Sequence, residues 1–85
     1  MRTEKTDFSS NTAEKLSCGQ KARITSIKEG AFSLKLAEMG CVPGTEITRV
    51  FSAAGGSPIA YQIDTYLLGL RAEEASLLEV APCEN

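Results

Sequence analysis

Histidine and tryptophan are both missing from this 85-residue chain. Without imidazole it lacks the commonest transition-metal ligand and the one side chain that titrates, unperturbed, near neutral pH. No C-x-x-C pair occurs among its cysteines, Cys18, Cys41 and Cys83. An odd, widely spaced set cannot complete a disulfide framework, so reduced thiols are expected. A surplus of basic charge is absent too: the net charge is -2 and the isoelectric point about 5.1. No positive field is available to gather phosphates, which excludes nucleic acid as a partner. Apolar runs are no longer than stretches such as Leu67 to Leu70, far short of the ~20 residues that a membrane helix needs. The opening "MRTEKTDFSSNTAEK" has no apolar core of the kind a secretory signal requires, which points to the cytoplasm. Catalytic patterns are missing as well. "AAGGSP" lacks the Lys and Ser/Thr of a phosphate loop, and no nucleophile stands in a recognisable pattern with a base, so no enzymatic activity is expected. A chain this short buries only roughly 60% of its unfolded surface, which favours a binding module over a buried polar active site.

What is present is a series of short apolar patterns broken by turn residues. Residues 1–15 hold only Phe8 as a large apolar side chain, and a flexible tail is expected there. The folded part is placed at residues 16–82, followed by a short tail at 83–85. "LSCGQKARITSIKEG" reads as a first strand, with Ile24 and Ile27 three apart, so a bulge or bend is expected between them. In "AFSLKLAEM", Phe32, Leu36 and Met39 share one helical face. Gly40 is a natural helix stop, and Val42-Pro43-Gly44 a turn into the strand "TEITRVFSA". "PIAYQID" and "TYLLGLR" alternate and form a hairpin around Asp64 and Thr65. Tyr61 and Tyr66 fall on their core faces, so packing is preferred to a peptide-groove role. "RAEEA" makes one helical turn, with Glu73 and Glu74 favoured by its dipole, and "LLEVA" is the last strand. Five short strands with a short helix between the first two predict a mainly β, partly open SH3-like barrel.

Four stretches carry a family resemblance: "LSCGQKARITSI", "KLAEMGCVPGTEI", "GGSPIAYQI" and "LLGLRAEEASLLEV". Together they resemble the FeoA family, small cytoplasmic proteins of bacterial ferrous iron transport, from about Leu16 to Val80. Ser57 stands where the family commonly has Asp before proline, and Cys18 where it commonly has Pro. Ser57 is expected to cap its turn through nearby backbone, and a metal role for that loop is disfavoured. The resemblance implies an SH3-like accessory protein that binds and modulates a FeoB-type membrane GTPase transporter through its cytoplasmic part. It would reside in the cytoplasm, peripheral at the inner membrane through that partner.

Leu34 lies about 200° round the helix from Leu36, opposite the buried stripe. With Ala31 one turn before it and Lys35 beside it, Leu34 is the candidate partner-binding residue, an apolar spot with a basic rim. Lys35 and Arg71 occupy positions where the family keeps a basic residue. Lys35 is expected to pair with a carboxylate of a partner or of its own chain, and Arg71 to lay its stem over the barrel and bond nearby backbone. No cofactor and no metal-ligand set is assigned. The alternative reading is a direct metal-binding or iron-sensing module using Cys18, Cys41, Cys83 and nearby carboxylates, with ferrous iron as its ligand. A third, self-association through unpaired barrel edges, follows from the small open sheet.

Overall fold

The computed structural model describes residues 11–83. Its elements are β1 (Lys21–Ile27), α1 (Ser33–Glu38), β2 (Glu46–Ser52), β3 (Ile59–Ile63), β4 (Tyr66–Leu70), α2 (Ala72–Ala75) and β5 (Leu78–Pro82). Short 3-10 turns precede β1 at Ala13–Lys15 and β3 at Ala54–Gly56. All strands join one antiparallel sheet in the order β4-β3-β2-β1-β5. This is the mainly β architecture expected from the pattern, with α1 inserted between β1 and β2.

Alternation builds the core. Ala22 and Ile24 from β1, Ile59, Tyr61 and Ile63 from β3, and Leu78 and Val80 from β5 all point inward and are buried. Ile47, Leu70 and, from α1, Leu36 join it, together with Ala13, Leu16, Cys41 and Ala75. The bend expected between Ile24 and Ile27 exists: the β1–β5 register shifts between Ile24 and Ser26. That extra residue lets a narrow sheet curl around a single core.

The helix stop is built as the sequence suggests. Gly40 has a φ of +95°. Its N–H donates to Ala37 O at 3.1 Å, and the N–H of Cys41 donates to Leu36 O at 3.0 Å. These are the paired bonds of a Schellman cap, and the accompanying apolar contact is supplied by Leu36 and Cys41, both fully buried. The turn that follows closes by a bond from Thr45 N–H to Val42 O at 3.1 Å.

Two expectations are corrected. The folded unit starts before Leu16: Thr12 forms a β-bridge with Glu79, and Ala13 is fully buried. Tyr61 Oη donates to Ala13 O at 2.8 Å, and Arg49 Nη1 donates to Leu16 O at 2.6 Å and Glu14 O at 3.2 Å. Polar side chains of β2 and β3 thus hold a segment whose own apolar content is small. The part of the expected tail before residue 11 lies outside the described residues. At the other end, Cys83 is half-buried and its N–H donates to Lys21 O at 3.1 Å, extending the β1–β5 pairing.

Tyr66 is the second correction. It is 42% exposed, whereas Leu70 on the same face is buried. Tyr66 begins a strand at the margin of the sheet, where burial is incomplete. Its hydroxyl instead donates to Met39 O and ties β4 to the end of α1.

Candidate functional site

Helix α1 turns Leu36 into the core and leaves Ala31, Leu34 and Lys35 exposed around its start and outer side. Leu34 is 71% exposed, the largest value among the exposed large apolar residues described. Lys35 reaches in a different direction. Its Nζ lies 3.6 Å from Glu74 Oε2 and 6.0 Å from the centre of the Phe32 ring. The internal carboxylate is therefore the one that Lys35 meets.

Glu74 is held firmly. Its side chain is only 9% exposed, and its Oε1 accepts the Arg71 N–H at 2.9 Å, one half of a capping box at the start of α2. The Glu74 N–H in turn donates to Arg71 O at 2.9 Å. Glu74 thus satisfies an orphan donor of α2 while acting as counter-charge to Lys35. With Lys35 more than half exposed, that pair contributes at most about 1 kcal/mol; its value is in orienting the lysine.

The guanidinium of Arg71 does not behave as expected. Arg71 is exposed, and among the described residues its side chain makes no hydrogen bond or ion pair; the backbone bonds at the start of α2 come from its own N–H and C=O. It stands exposed at the junction between β4 and α2.

Lys35, Ser57, Pro58, Gly69, Arg71 and Glu74 line an open cleft of about 500 Å³. Its walls come from α1, the loop before β3, β4 and α2. Three of the four quoted sequence stretches meet here, brought to one surface by the fold. Its lining holds one buried carboxylate and two cations, which leaves the cleft with a surplus positive charge. Such a surface suits an acidic side chain flanked by an apolar one. Ser57 does not cap its turn: among the described residues its hydroxyl has no hydrogen bond. The turn closes through Ala53 N–H to Pro58 O at 3.0 Å and Gly56 N–H to Ala53 O at 2.8 Å.

The cysteines do not meet. Cys18 is exposed, with its thiol donating to Val50 O at 2.8 Å; Cys41 is buried and Cys83 half-buried. Burial pushes the Cys41 thiol up to about 11, so at neutral pH it is protonated and unsuited to ligation. Among the described residues no group of three Cys, Asp or Glu side chains is positioned to hold a metal ion.

The profile of the FeoA domain matches residues 12–82. Three solved structures show what the chain is similar to. Iron(II) transport protein A from Clostridium thermocellum is 38% identical with a TM-score of 0.79 over 85% of this chain, which spans 45% of that protein's length. A FeoA-like protein from Clostridium acetobutylicum is 29% identical with a TM-score of 0.80, covering 87% of each chain. FeoA from Stenotrophomonas maltophilia, solved in complex with zinc and described as a prokaryotic SH3 domain protein, is 28% identical with a TM-score of 0.75. It covers 82% of this chain and 88% of its own. No curated protein sequence matches the chain.

Proposed function

The chain belongs to the FeoA family, and from that premise we propose that it is an accessory protein of ferrous iron uptake. In this reading it binds the cytoplasmic part of a FeoB-type membrane GTPase transporter and modulates transport by contact, with no chemistry of its own. The observation that carries the reading is Leu34, 71% exposed on the helix whose Lys35 lines a cleft of surplus positive charge. Ala31 and Leu34 supply the apolar centre of the contact, and Lys35 and Arg71 its basic rim. No described helix is long and apolar enough to cross a membrane; in this reading the chain meets the membrane through its partner.

Deleting the gene from a host whose ferrous iron uptake depends on such a transporter tests the proposal. Uptake should fall and be restored by the wild-type chain, and Leu34→Asp should restore it poorly while folding normally. Unimpaired uptake on deletion would overturn the proposal. Full rescue by Leu34→Asp would remove Leu34 from the contact.

A further inference from the structure

The two outer strands of the sheet are protected unequally. β5 carries Glu79 and Pro82, and its free side is covered by the N-terminal segment through the Thr12–Glu79 bridge and the bond from Val80 N–H to Asn11 O. β4 reads Tyr-Leu-Leu-Gly-Leu, with neither charge nor proline, and pairs with β3 without a bulge. It lacks the devices that normally keep an edge strand from pairing with another chain.

Its hydrogen-bonding pattern is fixed by the hairpin. Ile63 and Tyr66 flank the two-residue turn, so the bonded positions alternate from there: Tyr66, Leu68 and Leu70 face β3, while the N–H and C=O of Leu67 and Gly69 face outward. Among the described residues no bond outside the sheet reaches those outward groups. Leu67 is 55% exposed, and Gly69 is exposed as well.

We propose that β4 is the contact strand of a symmetric homodimer in which two copies pair antiparallel about a two-fold axis at Leu68. In that register Leu67 of each copy stands opposite Gly69 of the other, and such a pair exchanges both of its backbone bonds. The leucine then lies over a position with no Cβ, where the nearest atom to an added Cβ would be Pro58 Cβ at 3.9 Å. Ala60 and Phe51 continue the Gly69 row across β3 and β2, and Phe51 is 54% exposed, so an apolar shelf leads inward from the contact.

Charge fits the same register. Arg71, just past one end of β4, comes beside the turn of the second copy that holds Asp64. Both residues are exposed and outside any ion pair among the described residues. The symmetry makes the match twice, which argues for a second copy as the occupant. Pairing of five-residue strands buries less than the roughly 800 Å² per partner of a standard interface, so the dimer is weak and concentration-dependent.

Sedimentation equilibrium of the full chain from micromolar to millimolar concentration tests this. The average mass should rise towards twice the monomer, and the Leu67 and Gly69 amides should gain exchange protection with concentration. Leu67→Lys, on an exposed position, should hold the mass at monomer. Arg71→Glu and Asp64→Lys, taken separately, should each weaken dimerisation about fivefold or more, and an equimolar mixture should form a heterodimer tighter than either homodimer. Asp64→Asn keeps a residue that tolerates positive φ and should weaken the dimer in the same direction, guarding against a turn that fails to form. The two contacts share Arg71 and the cleft that Gly69 lines, so Leu34 tells them apart: Leu34→Asp should leave the mass unchanged. Monomer mass at millimolar concentration, a dimer that survives Leu67→Lys, or a mixture no tighter than its parts would overturn the proposal.

Discussion

Replacing Gly40 by alanine perturbs two separable interactions. The residue sits at a φ of +95°, and a Cβ built there would stand 2.5 Å from the Tyr66 hydroxyl. The left-handed backbone costs a side-chain-bearing residue about 1–2 kcal/mol. The collision is relieved when the exposed Tyr66 ring swings away, but its hydroxyl then leaves Met39 O, a loss of about 1 kcal/mol. The sum, about 2–3 kcal/mol, corresponds to a fall in Tm of about 10–20 °C for a domain of this size. Urea and thermal unfolding followed by circular dichroism measure it. Tyr66→Phe removes the hydroxyl and should cost about 1 kcal/mol alone. In that background Gly40→Ala should cost only the backbone part, about 1–2 kcal/mol, leaving a coupling of about 1 kcal/mol. A cost for Gly40→Ala below about 0.5 kcal/mol would contradict the backbone penalty, and a cost unchanged by removing the hydroxyl would contradict the coupling to Tyr66.

Tyr61→Phe should strand the Ala13 carbonyl, cost about 1–2 kcal/mol, and speed exchange of the Val80 amide that bonds Asn11; hydrogen exchange reads this directly. Glu74→Ala should destabilise more than Lys35→Ala, about 1–3 against under 1 kcal/mol, because only the glutamate also caps the Arg71 N–H; urea unfolding of both variants ranks them. Thiol labelling followed by mass spectrometry should modify Cys18 first, Cys83 more slowly and Cys41 only on unfolding. Burial raises the Cys41 thiol from 9.0 to about 11. The unfolded chain therefore loses that proton first as pH rises, and stability should fall between about pH 9 and 11, a slope that Cys41→Ala should reduce.

Local signals carried most of the architecture. The stop at Gly40, the turn at Pro43-Gly44, the bend after Ile24 and the hairpin at Asp64 each follow from residues within a few positions of one another. What local pattern could not supply was contact across the fold. Ala13 is buried because Tyr61 and Arg49 reach it from other strands, and no composition rule weighs a small residue whose backbone is bonded from afar. Tyr66 obeys its alternation, yet at the sheet margin only its hydroxyl meets the end of α1 and the residue stays exposed. The cleft shows the same division. Lys35, Ser57-Pro58 and Arg71 with Glu74 were each visible as parts of a motif, but only the curl of the sheet brings them to one surface. Glu74 read as a carboxylate in a first helical turn and is in addition the buried counter-charge of Lys35.

The contact with the transporter is the claim on which the functional account stands. Titrating the purified chain onto native membrane vesicles that carry a FeoB-type transporter, cytoplasmic side outward, measures it directly. Binding should be saturable, vanish from vesicles lacking the transporter and weaken at least tenfold with Leu34→Asp, the loss of about 1.4 kcal/mol or more expected of a central apolar anchor. Equal binding to vesicles with and without the transporter would contradict it.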